Sequence, residues 1–203
     1  SIIFAFSNIE WKISRKWLTN VGFMVENQEL DETNLSPRAS LHYQLLPQHN
    51  FRINASRAYR SASVFESNRK VVSKAYDVFV DYDLLSEDDI EAEQLDTLEL
   101  AYFGSFFEGK LDIDWRTFNE KMKGGIDHVK WWVDHQGWVA SEDYDEGSPD
   151  GPVNRSSRAH FFSNSKDWRV TGYDMQVKWR PTANTAVSLQ YANTHLYFTR
   201  IRN

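Results

Sequence analysis

The sequence contains no cysteine, so neither a disulfide framework nor a thiolate metal site can exist. That absence fits the periplasmic side of a bacterial envelope without selecting it. No apolar run approaches the ~20 residues that a membrane helix requires, and mean hydropathy is −0.60. A helical membrane protein is excluded. A membrane β-barrel is not, because alternating strands dilute their hydrophobicity to an ordinary average. Positive charge is also in short supply: 23 Lys and Arg against 29 Asp and Glu leave a net charge of −6. A nucleic-acid partner, which selects for basic surfaces, is not expected. Catalytic signatures are missing as well. There is no Gly-x-Ser-x-Gly, no Gly-rich phosphate loop and no His-Glu-x-x-His, so neither enzymatic activity nor a cofactor is expected. The chain starts at Ser1, and "SIIFAFSN" has no basic stretch before its apolar residues, as a signal peptide would. The expectation is a processed chain or an internal piece of a longer one.

What the chain does have is aromatic residues, 15% of the total, and a length of 203 residues that suffices for one large domain. It also has strict alternation around short turns. In "GSFFEGKLDIDWRTF" (104–118), Leu111, Ile113, Trp115 and Thr117 share one face of an extended strand. Lys110, Asp112, Asp114 and Arg116 share the other. "PQHN" (47–50), "FFEG" (106–109), "PTAN" (181–184) and, with weaker turn chemistry, "SRK" (14–16) are all flanked by period-two stretches. Apolar Leu98, Leu100 and Tyr102 alternate with Glu99 and Ala101. Tyr173, Met175, Val177 and Trp179 alternate with Asp174, Gln176 and Lys178.

The pattern predicts an all-β, antiparallel, up-and-down sheet of about eight strands of roughly 10 residues, the length a tilted strand needs to cross a bilayer. One end carries the short turns. The other carries "DETNL" (31–35) and two long joins, about 61–94 and 120–166. Outer-membrane barrels divide their connections in this way. Within the first long join, Ser86 followed by acidic residues predicts a short capped helix.

Three stretches carry a family resemblance. "LSPRASLHYQLLPQHNFRINASRAYRSASVFE" (35–66), "QLDTLELAYFGSFFEGKLDIDWRTFNEKMKGGID" (94–127) and "FFSNSKDWRVTGYDMQVKWRPTANTAVSLQYANTHL" (161–196) resemble, in order, barrel segments of TonB-dependent outer-membrane receptors. Ala101 stands where that family has Gly, Asp174 replaces its usual Glu, and Ser165 takes the place of a Gly. The resemblance implies a C-terminal-side piece of the β-barrel domain, residues 1–203, without plug or TonB box. The family's complete barrel has ~22 strands around a plug. It also implies location in the bacterial outer membrane, contact with its lipid, uptake of a scarce nutrient such as a ferric siderophore, and engagement of TonB through the N-terminal part.

Under this reading Glu99, Lys110, Asp112, Asp114, Arg116, Asp174 and Lys178 face the lumen. Trp11, Trp17, Phe51, Phe106 and Trp179 fit an interfacial aromatic belt near the short turns. Arg57, Tyr59 and Arg60 top a strand and suit anionic ligand groups, or simply form strand-end salt bridges. Trp131, Trp132, Trp138 and Tyr144 form either an external stacking platform or a small cluster that folds the loop on itself. His128, Asp134 and His135 match no metal-ligand spacing, and "DYDEGSPDG" has Gly147 where a calcium loop needs a ligand. A small self-contained outer-membrane barrel or porin, and a soluble β-sandwich that binds carbohydrate, remain as alternatives.

Overall fold

The computed structural model describes residues 2–28, 33–67, 70–75, 78–86, 90–134 and 156–201. In chain order the strands are β1 (Ile2–Lys12), β2 (Trp17–Gln28), β3 (Asn34–Leu46) and β4 (His49–Arg60). A helical turn α1 (Val64–Ser67) follows, then β5 (Lys70–Ala75), β6 (Val78–Ser86), β7 (Glu93–Phe106), β8 (Leu111–Asp134), β9 (Ser156–Thr182) and β10 (Thr185–Ile201). The chain divides into two compact units. The first comprises Ser1–Tyr59, Gln94–Lys123 and Trp168–Thr199; the second comprises Arg60–Glu93, Gly124–Asp167 and Arg200–Asn203.

In the first unit the neighbours run β1-β2-β3-β4-β7-β8-β9-β10. That is the expected number of strands, in one sheet rather than the two stacked layers of a sandwich. Pairing is antiparallel from β1 to β4 and between β7 and β8. The short turns are tied to one another at one end. The Gln44 amide donates to the Lys16 carbonyl (2.8 Å), Ser105 to Gln48 (2.9 Å) and Arg180 to Lys110 (2.6 Å). The third turn is left-handed, with φ of 53° at Phe107, 56° at Glu108 and 84° at Gly109. Positive φ at consecutive residues gives the twist that a tight hairpin needs. Pro37 interrupts no ladder on the β4 side: it lies opposite Phe23, while β3–β4 pairing starts only at Arg38↔Ser56.

Register sorts the side chains as the alternation predicts. Ile9↔Val21, Val21↔Ala39, Leu41↔Ile53 and Leu100↔Thr117 lie on one face. Asn8↔Gly22, Ser40↔Asn54 and Ala101↔Arg116 lie on the other. The apolar face is open: Val21 is 51% exposed, Ile53 45%, Leu98 53% and Leu189 61%. Apolar side chains left this bare along a whole face mark a surface that meets something other than water.

The second unit differs from expectation in three ways. First, the join at 61–94 holds α1 and an antiparallel β5–β6 hairpin, and β6 pairs in parallel with β9 at Leu84↔His160 through Ser86↔Phe162. Second, Ser86 ends β6, and residues 87–89, where the expected helix would begin, lie outside the described residues. A helical turn does start after Ser63, whose hydroxyl accepts from the Glu66 amide (3.2 Å) while Glu66 accepts from the Ser63 amide (2.8 Å). This is a capping box spelled Ser-Val-Phe-Glu. Third, β8 runs on to Asp134 and β9 begins at Ser156, so the expected join at 120–166 is largely strand.

Candidate functional site

On the polar face of the first unit, β4, β7, β8 and β9 bring charges of both signs together. Glu99 is the hub. Its Oε1 accepts from Arg52 (2.9 Å) and Asn54 (2.8 Å), and its Oε2 from Arg116 (3.4 Å). Arg116 also pairs with Asp174, by Nε at 3.1 Å and by a closer contact through its Nη2. Nearer the turns, Arg180 donates to Asp112 (2.7 Å) and to the Gly109 carbonyl (2.9 Å), while Ser105 supplies a second donor to Asp112 (2.7 Å). Side chains on adjacent strands can meet in this way because same-face neighbours across a ladder stand within reach of one another. A cavity of about 490 Å³ opens on this face, lined by Arg52, Asp114, Arg116, Asp174, Gln176 and Gln190.

Of the residues expected on this face, Glu99, Asp112, Asp114, Arg116, Asp174 and Lys178 lie there. Lys110 is in the turn instead. Arg52, Asn54 and Arg180 join them as partners; each alternates with apolar neighbours in the sequence, which is the signal that puts it on this face. Phe103 and Phe118 also belong to it, opposite Asp114 and Glu99, and the Arg116 guanidinium lies 5.7 Å from the Phe118 ring centre. Close packing across the face has one further requirement. Arg38 on β3 reaches over Gly22 on β2 to donate to Asn8 on β1 (3.2 Å). A Cβ at Gly22 would stand 2.8 Å from Asn8 Oδ1 and 3.1 Å from Arg38 Nε.

The opposite face carries an aromatic row near the turns. Trp17 packs on Tyr43 (4.4 Å between ring centres), Tyr43 lies opposite Phe51, Phe51 packs on Tyr102 (5.0 Å), and Tyr102 lies opposite Trp115. His49 Nδ1 is 2.8 Å from the Tyr102 hydroxyl and its ring lies 4.9 Å from that of Phe106. Trp17, Phe51 and Phe106 were expected in such a belt. Tyr43, Tyr102 and Trp115 join it because register, which alternation alone does not fix, sets their depth. The Tyr102 ring folds over Gly104, where any Cβ would collide with it.

Arg57, Tyr59 and Arg60 divide between faces. Arg57 binds Asp96 through two bonds (2.5 and 3.2 Å) and Tyr59 donates to Gln94 (3.3 Å), both on the apolar side of β4 and β7. In the second unit, Arg60 donates to Glu93 (2.5 Å) and to both Glu66 oxygens (3.1 Å each). The buried Glu93 carboxylate also accepts from the Ile126 amide (2.7 Å), so a charge removed from water is fully engaged. Asn164 bridges Glu91 and Gly124, donating to Gly124 O (2.6 Å) and Glu91 O (2.9 Å) and accepting from Glu91 N (2.8 Å). Lys166 pairs with Asp127, and Asp167 accepts from the Gly124 amide (2.7 Å). Glu66 is held below the ordinary glutamate range. Burial raises it, and the bonds from Arg60 and Ser63 outweigh that.

Trp131, Trp132, His128 and Asp134 lie on β8. Trp138, Tyr144, His135, Gly147 and the stretch "DYDEGSPDG" lie outside the described residues. Among the described residues no group of His, Asp and Glu is placed to hold a metal ion.

The geometry can be set beside known proteins. No curated protein matches the sequence. The siderophore receptor PirA from Pseudomonas aeruginosa matches in structure at 13% identity with a TM-score of 0.73, over 98% of this chain and 35% of that one. A G324V mutant of the ferric enterobactin receptor PfeA, also from Pseudomonas aeruginosa, matches at 18% identity and 0.68, over 98% and 26%. The FrpB iron transporter from Neisseria meningitidis matches at 11% identity and 0.64, over 97% and 25%. At these identities the likeness is one of fold, and the chain spans about a quarter to a third of each structure. The family model for the TonB dependent receptor-like β-barrel matches residues 2–127, more than half of the chain. An open apolar face, an aromatic row and an ionic opposite face are what such a wall needs, and the chain belongs to the TonB-dependent receptor-like β-barrel family.

Proposed function

We propose that residues 1–203 form one stretch of barrel wall in a bacterial outer-membrane receptor that imports a scarce nutrient such as a ferric siderophore. The observation that carries this reading is the split between faces. Bare apolar side chains flanked by aromatic rings suit hydrocarbon and its interface. Glu99, Asp112, Asp114, Arg116, Asp174 and Lys178, with Lys110 at the turn, suit a water-filled lumen. The similarity to PirA, a siderophore receptor, PfeA, a ferric enterobactin receptor, and FrpB, an iron transporter, supports the substrate class. Energy for uptake comes from TonB, which engages the receptor through a part other than this wall. Arg60, Trp131, Trp132, Trp138 and Tyr144 are the proposed ligand contacts at the long-loop end. Arg57 and Tyr59 take a lesser part, since they lie on the apolar side of β4 with Asp96 and Gln94.

The test is uptake by the full-length protein in an iron-starved strain supplied with a panel of labelled ferric siderophores, with and without TonB. Accumulation of at least one member that depends on both protein and TonB is expected. Uptake that persists without TonB would overturn the coupling, and spin labels at positions 113 and 175 that meet polar quenchers but not oxygen would overturn the wall.

A further inference from the structure

Arg60 ends β4 with a half-exposed side chain whose guanidinium fork is filled. Its Nη1 and Nη2 each donate to one oxygen of Glu66 (3.1 Å each), and its Nε donates to Glu93 (2.5 Å). Two parallel bonds of this kind are how arginine recognises a carboxylate from any source. Glu66 therefore occupies the place that the carboxylate of a ligand would take.

The two carboxylates are not held equally. Glu93 belongs to β7, is buried, and also accepts from the Ile126 amide (2.7 Å). Glu66 rides on α1, a helix of four residues in which Val64 is 65% and Phe65 48% exposed. A helix this short is not stable by itself. The Ser63 bonds that cap it are local. What ties it to other elements includes the Arg60 fork and an edge contact of Phe65 on Phe162 of β9 (5.6 Å). Ala62, between Arg60 and the helix, is buried, so the end of β4 is fixed independently of α1.

Charge decides between exchange and addition. Among the side chains of the second unit that the structure describes, the cations are Arg60, Lys166 and Arg200, and the carboxylates are Glu66, Glu91, Glu93, Asp127 and Asp167. Lys166 is paired with Asp127, and Arg200 with Asp167. An anion added beside Arg60 would enter a group in which carboxylates already outnumber cations. An anion that takes the place of Glu66 makes the same bonds to the same fork, and Glu66 swings out to water.

We propose that Glu66 is an internal competitor for Arg60, that a carboxylate-bearing ligand displaces it, and that the displacement frees α1. The proposal rests on the receptor reading, with Arg60 as a ligand contact, and adds a ligand class and a coupling. Glu93 holds Arg60 in place while the partner on its fork changes. The affinity for the ligand is then lowered by the free energy of displacing Glu66, and binding loosens residues 61–67 instead of covering them.

The test uses the full-length protein, with ferric citrate as the carboxylate probe and ferric desferrioxamine, a hydroxamate without a carboxylate, as the control. Ferric citrate should quicken protease cleavage within residues 61–67 of wild type, and the control should not. Glu66→Gln keeps the shape of the side chain but bonds Arg60 without charge. It should bind ferric citrate about tenfold more tightly than wild type and leave binding of the control unchanged. Against an Arg60→Lys background, which keeps the charge and loses the fork, Glu66→Gln should bring no gain. Ferric citrate that protects 61–67, a Glu66→Gln affinity equal to that of wild type, or an equal gain for both probes overturns the exchange and leaves the receptor reading standing. No binding of ferric citrate by a protein that takes up another siderophore overturns the carboxylate class alone. Failure of every siderophore in the uptake panel overturns the receptor reading with it.

Discussion

The two compact units are cut from the same chain, and β8 and β9 contribute residues to both, yet they are held by different means. In the first, Val21, Phe23, Ile53, Leu98 and Leu189 are all exposed, and Ala101 is its one buried non-glycine residue among those described. In the second, Ala62, Phe161, Glu93, Ser163 and Ser165 are buried, and polar bonds from Glu93 and Asn164 close its joins. One unit therefore has ladder hydrogen bonds and an open apolar face, which the proposed wall reading sets against hydrocarbon, and the other packs on itself. On that reading the solvent on the outer face accounts for the difference.

The largest effect that could break this comparison is a charge on the apolar face. Val21→Arg, between Ile9 and Ala39, should cost ~2–4 kcal/mol near the bilayer midplane. Asn20→Arg, one residue away on the polar face, should cost under ~1 kcal/mol. Urea unfolding in liposomes, followed by tryptophan fluorescence, measures both in the full-length protein. Equal losses at the two positions would mean that the faces see the same solvent.

In the second unit the largest effect should come from Glu93. Glu93→Gln keeps the shape and removes the charge that Arg60 and the Ile126 amide both use. Charge-assisted bonds of this kind contribute ~1.5–3 kcal/mol, and half-exposure of Arg60 favours the lower end. Hydrogen exchange at the Ile126 amide should accelerate by about tenfold while amides of β1–β3 stay unchanged. A uniform change would show that the units unfold together.

How much could be read from the chain follows the same boundary. Alternation shows the strands of the first unit because each side chain there falls on either the apolar or the polar face, and the two demand opposite chemistry. Leu111, Asp112, Ile113, Asp114 and Trp115 show it plainly. From Phe118 onward, "FNEKMKGGIDHVKWW" puts charges on both faces, so the period-two signal fades although β8 continues to Asp134. The β5–β6 hairpin is hard to read for a related reason: "KVVSKA" and "VFVDYDLLS" are joined in the sequence by Tyr-Asp, which has none of the Gly, Asn or Pro that marks a short turn. At the site, alternation put Glu99, Arg116 and Asp174 on one face. It could not make Glu99 the hub, because that depends on the placement of β4 beside β7 across a long join. The capping box at Ser63 and Glu66 is written in the sequence, but the more acidic stretch after Ser86 is the stronger first-turn signal.

That box gives a smaller, sharper test. Ser63→Ala removes the hydroxyl that accepts from the Glu66 amide and should cost ~1 kcal/mol locally. Protease cleavage within residues 61–67 should quicken about fivefold in the variant, with no change in cleavage of the short turns. Faster cleavage at both ends would place the loss in the whole sheet.

The smallest effect is one of pH. Glu66 has its folded-state pKa lowered: burial works against this, and Arg60 and the two Ser63 bonds prevail. A depressed carboxylate adds stability that is fully present above its unfolded pKa, about 4.3, and is lost as pH falls through the lower folded value. Local opening of α1, followed by cleavage at 61–67 with an acid-stable protease, should therefore be flat from neutral pH down to about 4.3 and rise below it. In Glu66→Gln the rise should be smaller and the plateau higher, since the amide forms weaker bonds to Arg60 and does not ionise. A variant with the same acid limb as wild type would assign that limb to another group.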